Sequence, residues 1–422
     1  MLAFEDTVAP AMPAFPLVLA LVATLASAAE RPVVYGYHAY WTDDPATLDF
    51  ERLTHVAIFN VDVDTEKVLS SKSNWTEVAA DVVAAAHAKG TKVHLCVTAF
   101  GSDEHYAVFR DDAFRAELIQ QLADLVHEYG ADGVNVDFEG LSSEYKQDMI
   151  AFVIDLRAQV GEVVLATPAV DWSGAWDYSE LSAESDGLFI MGYAFHYTGS
   201  DPGPNDPLYG SDTWGKYGLE WSIDDYMAYD ADPDKVILGL PLYGQWWDAT
   251  SSIPGTATDD AGSITMVDAL AEAGEYGALY DEASSSPYYL PPGEQVWYPT
   301  HESVRERIQF AIDRGLAGTG FWALDYEGRD PAFWDMVEET AAWPSADDPS
   351  TDTGQDGGTG DGGSGDEADN LGDGSGASFP GELRLMGEAP AACGLGVGAG
   401  GVYAVVVAAG CGLRRRGTLR RC

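Results

Sequence analysis

Short apolar, β-branched runs alternate along the chain with longer stretches in which apolar residues recur every third or fourth position. Eight of the runs predict strands: Val33–His38, Thr54–Asn60, Lys92–Thr98, Gly133–Phe138, Val163–Thr167, Gly187–Tyr193, Lys235–Leu240 and Gly318–Ala323. Amphipathic helices are expected between them. In one, Phe114, Leu118, Leu122, Leu125, Val126 and Tyr129 share a single face. Strand and helix in alternation imply a parallel sheet, and eight such strands fit a closed (β/α)8 TIM barrel with its active site at the strands' C-terminal ends. A doubly wound open sheet is the alternative, but no Gly-rich phosphate loop follows the first strand, where Gly36 and Gly101 stand isolated. The stretch 244–300 is too long for an ordinary connection between the seventh and eighth strands. Its β-prone pieces, Ser263–Val267 and Gln295–Tyr298, predict a small α+β insertion over about 245–300 that walls one side of a cleft.

The pattern changes at both ends of this block, which spans 30–344. Residues 15–29 read FPLVLALVATLASAA, an apolar run with the small-residue sequence Ala26-Ser27-Ala28, so 1–29 is expected to be a secretory signal peptide. Residues 345–390 are a Gly/Asp-rich linker, without a basic residue from Ser345 to Glu382; it lacks the apolar surface needed to fold. Its Asp-Gly pairs match neither the spacing of a calcium loop nor a nonapeptide repeat. Residues 391–422 hold Cys393, an uncharged stretch from Leu395 to Leu413 and then Arg414-Arg415-Arg416. The stretch is long enough to enter a membrane with the arginines on the cytoplasmic side. The layout resembles the tripartite surface-sorting tags of some Gram-negative bacteria, which would make the protein secreted and held at the cell surface.

Charge narrows the function. The chain carries 69 acidic and 22 basic residues, a net charge of −47, of which 55 and 16 fall in 31–344. Nucleic-acid binding is therefore nearly excluded as a function class; the acidity makes a solvated, self-repelling surface suited to salty surroundings. Cys96 alone lies in the block, in an apolar run, where a buried structural thiol is expected and no disulfide framework can form.

The candidate chemistry sits on the fourth strand, within Ala131–Gly140, ADGVNVDFEG. Side chains alternate on a strand, so Val134, Val136 and Phe138 face the helices while Asn135, Asp137 and Glu139 point together into the barrel. Three polar groups in a dry interior are costly unless they bond to one another or to a ligand. Crowded carboxyls raise one another's pKa, which keeps a glutamic acid protonated for general-acid work near neutral pH.

DGVNVDFEG resembles the signature of glycoside hydrolase family 18, the chitinase family, written DGxDxDxE. Val34–Trp41 (VYGYHAYW), Met191-Gly192-Tyr193, Gly239–Gly244 (GLPLYG) and Gly320–Leu324 (GFWAL) resemble that family's first, sixth, seventh and eighth strands in order and spacing. The resemblance implies a chitinase-like glycosidase. Glu139 would be the general acid, Asp137 would orient the substrate's N-acetyl group, and Tyr193 would bond that acetamide. Trp322 would be the aromatic floor, with Tyr37, Phe59, Asn135 and Met191 also in the sugar site and Asp132 structural. It further implies a retaining reaction assisted by the substrate's own acetamide, no cofactor, and an N-acetylglucosamine polysaccharide as partner; the protein is expected to act as a monomer. Two positions depart from the family. Asn135 stands where an Asp is more usual, and Ala194 stands where an Asp commonly follows the Tyr, with His196 nearby to replace it. Histidines 38, 87, 94 and 127 form no metal-ligand pattern along the sequence. Trp41, Trp172, Trp176, Trp214, Trp221, Trp246 and Trp247 are candidate sugar platforms. Peptidoglycan and N-glycan cores share the acetamido sugar and remain alternative substrates. A non-catalytic lectin on the same barrel would typically lose the acid, and Glu139 is present.

Overall fold

A computed structural model describes residues 32–341 apart from 250, 252, 254 and 255. The expected signal peptide, linker and tail lie outside the described residues. Eight parallel strands form the core: β1 (Val33–Ala39), β2 (His55–Asp64), β3 (Lys92–Ala99), β4 (Gly133–Phe138), β5 (Glu162–Pro168), β6 (Gly187–Met191), β7 (Val236–Pro241) and β8 (Gly318–Trp322). Each pairs with the next, and β1 pairs with both β2 and β8, so the sheet closes into a (β/α)8 barrel.

Local chemistry sets where the helices begin and end. The helix Asp112–Tyr129 starts where the Asp111 carboxylate accepts the amides of Ala113 and Phe114, and stops at Gly130, whose φ of 69° lies in the left-handed region. The stripe read from the sequence faces the barrel, with Leu118, Leu122, Leu125 and Val126 buried. Inside the barrel the Phe189 ring lies 5.6 Å from Tyr35 and 4.9 Å from Tyr37. Gly239 and Gly320 make room for it, since a Cβ on either would fall 2.2 or 2.4 Å from that ring. Burying a side chain of this size stabilises the fold by about 1.5–3 kcal/mol.

Three boundaries differ from the sequence expectation. Strand β2 runs on to Asp64 because its last residues pair antiparallel with Val68–Ser70. Strand β6 ends at Met191, two residues short of Tyr193: the amides of Gly192 and Tyr193 turn back to the carbonyls of Ile190 and Met191, and Ala194 takes a φ of 59°. The insertion is an antiparallel sheet of Ala257–Thr265, Tyr243–Ala249, Glu294–Trp297, Ser286–Tyr289 and Leu279–Asp281, with the helix Met266–Tyr276. Val267 is therefore helical rather than extended, because the Thr265 hydroxyl caps the helix by accepting from the Asp268 amide. A small core of its own, including Ile264, Ala273, Tyr289 and Val296, supports this sheet. Arg307, fully buried on the helix His301–Asp313, ties the insertion to the barrel loops. It donates to the carbonyls of Asp206, Ser285 and Ser303 and pairs with the Asp206 carboxylate at 2.7 Å.

Candidate active site

The two-residue alternation of β4 appears as two sets of contacts. Phe138 stacks outward on Phe152 of the helix Lys146–Val160, with centroids 5.5 Å apart. Asn135 turns inward and its amide donates to the Tyr37 hydroxyl on β1 at 2.8 Å. Asp137 and Glu139 follow Asn135 at the same period, and all three are at most 6% exposed. Asn135 Oδ1, Asp137 Oδ1, Glu139 Oε1 and Trp322 Nε1 are buried without a hydrogen-bond partner. Buried polar atoms are normally satisfied, so four orphans at one end of a barrel mark the place of a polar ligand.

Burial pushes both carboxyls up, and the charge of Asp137 raises Glu139 further. Glu139 is thereby held protonated where an ordinary carboxylate would be ionised. Burial likewise raises Tyr193, with help from Tyr243, Asp137 and Glu139, so its phenol remains a hydrogen-bond donor.

Glu139, Met191 and Tyr193 line an open cavity of about 520 Å³ together with Trp172, Trp176 and Tyr217. Asn135, Asp137, Tyr37, Phe59 and Trp322 do not line it. They are buried in the barrel interior. There the Trp322 ring meets Phe59 edge-on at 4.9 Å and Tyr37 at 5.4 Å, with Trp41 at 6.3 Å. Asp132 is remote from this group: its carboxylate accepts the Val93 amide at 2.7 Å and faces His87 Nε2 at 2.8 Å, clamping the start of β3 to the start of β4. Cys96 is fully buried, and burial and then Asp137 raise its thiol, as suits an inert core residue.

Several expectations change. His196 does not line the cavity; its Nδ1 faces the Asp201 carbonyl at 3.0 Å and its ring meets Trp214. Nor does any other side chain among the described residues take that place; Asn205, which sequence reasoning missed, instead shapes the backbone there: its side-chain oxygen accepts the Ala194 amide at 2.9 Å and its amide donates to the Tyr243 carbonyl, fixing the loop that carries Tyr193. No sequence signal marks it. Of the seven candidate platforms only Trp172 and Trp176 line the cavity, and Trp176 and Trp247 are buried. Trp172 is 63% exposed and packs edge-on against Tyr217 at 4.8 Å. Its loop is organised by Asp171, whose carboxylate accepts the amides of Ser173, Gly174, Ala175 and Trp176. An Asp ahead of Ser-Gly is a turn signature that could have revealed this residue.

A parallel barrel whose fourth strand delivers two buried acids, one of them held protonated beside an aromatic-lined cleft, has the arrangement of a glycoside hydrolase barrel. The chain belongs to the glycosyl hydrolases family 18, whose profile matches residues 33–327. A Bacillus subtilis protein provisionally named as a sporulation-specific glycosylase is 29% identical over 260 residues, covering 58% of this chain and 59% of that relative's length. A class V chitinase of Medicago truncatula is 22% identical over 350 residues, covering 72% of this chain and 88% of that one. Among solved structures, a family 18 chitinase of Cycas revoluta bound to (GlcNAc)3 shares the fold at a TM-score of 0.65 and 18% identity, covering 74% of this chain and 100% of that one.

Proposed function

We propose that the domain cleaves β-1,4-linked N-acetylglucosamine polymers, chitin or a chitin-like glycan, by a retaining, substrate-assisted reaction. One observation carries this reading: Asp137 and Glu139 sit two residues apart on one strand face, both buried, each with an unpartnered oxygen. Ordinary retaining glycosidases place a second carboxylate across the sugar from the acid, about 5 Å away, to attack the anomeric carbon. Side chains that point the same way from one strand cannot flank a sugar. The substrate's acetamide oxygen is then the nucleophile, a known exception to the two-carboxylate scheme. Glu139 protonates the glycosidic oxygen. Asp137, ionised during the reaction, holds the acetamide nitrogen and balances the charge of the cyclic intermediate. The Tyr193 hydroxyl bonds the acetamide and Met191 lines the cavity beside it, while Trp322, Tyr37, Phe59 and Asn135 form the buried base of the site, under the reacting sugar and behind the cavity wall.

The test is hydrolysis of chitin oligomers, peptidoglycan and a glycoprotein by the full chain, with products identified by mass and anomer by proton NMR. Release of N-acetylglucosamine oligomers as the β-anomer is expected. Cleavage of deacetylated chitosan or cellulose, or inversion at the anomeric carbon, would overturn the mechanism. Peptidoglycan is the second reading, favoured because the 29%-identical relative is named for bacterial sporulation rather than for chitin. Secretion through 1–29 and surface retention through 391–422 belong to the same proposal, since an extracellular polymer must be met outside the cell.

A further inference from the structure

At the end of the barrel opposite Glu139, the beginnings of β2, β3 and β5 bring His55, His94 and Glu162 together. Their donor atoms all lie within 4.8 Å of one another. His94 Nε2 is 3.2 Å and His55 Nε2 is 3.8 Å from the same Glu162 oxygen, Oε2. Each ring is turned by a bond at its other nitrogen. His94 Nδ1 meets the Tyr35 hydroxyl at 3.0 Å, and His55 Nδ1 meets the Thr54 hydroxyl at 2.8 Å. Such outer bonds are how metal-binding imidazoles are oriented. Gly133, the register partner of both His94 and Glu162, keeps the group together: a Cβ there would fall 2.1 Å from the Glu162 carbonyl oxygen and 2.9 Å from its Cβ. Any side chain on β4 at this point would force Glu162 away from His94.

We infer that His55, His94 and Glu162 form a binding site for one divalent transition-metal ion of the zinc type at the closed end of the barrel. A tetrahedral ion with bonds of about 2.0–2.1 Å holds its ligands about 3.3 Å apart; the Glu162 oxygen lies 3.2 Å from His94 Nε2 and 3.8 Å from His55 Nε2, and with all three donor atoms within 4.8 Å the His55 ring must draw inward to complete the site. Two imidazoles and one carboxylate select such ions over calcium or magnesium, which take oxygen ligands. The His94 side chain is fully buried, while 17% of His55 and 27% of Glu162 reach solvent, so an ion would enter from their side. Lys92 pairs with the other carboxylate oxygen, Oε1, so Oε2 is the one that binds, and its ammonium weakens the affinity of the site. The ion joins three strands at the end of the barrel that carries no catalysis, so its effect is on stability.

The test is titration of the chelator-stripped full chain with Zn2+, followed by Co2+ absorption spectra and thermal melts. One equivalent of Zn2+ is expected to bind and raise Tm, and Co2+ should give the visible bands of four-coordinate nitrogen and oxygen ligation. Glu162→Gln and His55→Ala should each weaken binding at least tenfold, and Lys92→Met should tighten it. Failure to bind one equivalent, or affinity unchanged in both ligand variants, would overturn the assignment and place the ion on the acidic surface instead. Should His55→Ala not fold, Glu162→Gln decides, because its amide can still hydrogen-bond His94.

Discussion

Replacing Glu139 by Gln separates catalysis from stability at this site, because the two should move in opposite directions. The amide keeps the shape of the side chain and removes the transferable proton. General-acid help is worth about 10²–10⁴ in rate, or about 2.7–5.4 kcal/mol of barrier. Stability follows from the direction of the Glu139 shift. Its folded pKa is raised, so the folded protein keeps a proton that the unfolded chain releases in the ordinary carboxylate range. The stability linked to that proton is full below that range and is lost as pH rises toward the folded pKa, at about 1.4 kcal/mol per unit of separation. Gln has no such proton, so the variant should gain stability relative to the parent as pH rises above the ordinary carboxylate range. The assay pairs kcat/KM on an N-acetylglucosamine oligomer with Tm measured through and above that range. More than about a tenth of the parent rate would refute the acid assignment, and a Tm difference that does not change with pH would refute the electrostatic account of its burial.

Trp322→Ala should lower substrate binding and turnover together and cost about 3–5 kcal/mol of stability, since the ring is buried among Tyr37, Phe59 and Trp41; unchanged kinetics in a folded variant would return it to a packing role alone. Asn135→Asp puts a third acid beside Asp137 and should move the acidic limb of the kcat/KM profile to higher pH, because a neighbouring negative charge makes Asp137 harder to ionise. An unmoved limb would show that the two side chains do not interact. Arg307→Met leaves Asp206, already raised to about 6 by burial against the pull of Arg307, without its buried partner. It should cost about 3–5 kcal/mol in urea unfolding, and a loss under about 1 kcal/mol would mean that the ion pair contributes nothing to joining insertion and barrel.

The sequence by itself determined the parts of this protein that depend on local periodicity. Eight β-rich runs separated by helical stripes specify a parallel barrel, since strands buried on both faces and joined by helices have few other arrangements. The step of two along β4 aims Asn135, Asp137 and Glu139 inward whatever surrounds them, because adjacent side chains of a strand face opposite ways. Tertiary structure decided what depends on residues distant in the chain. Trp176 and Trp247 read like the exposed Trp172 until packing covers them. Asn205 shapes the Tyr193 loop only because the chain returns past Ala194 and Tyr243. His55, His94 and Glu162 show no metal-ligand spacing, since they come from three strands, and only barrel closure sets them in register. Periodicity fixes the direction of a side chain from its own backbone; which other side chains it meets is set by the closing of the sheet, and no local pattern in the sequence encodes that distance.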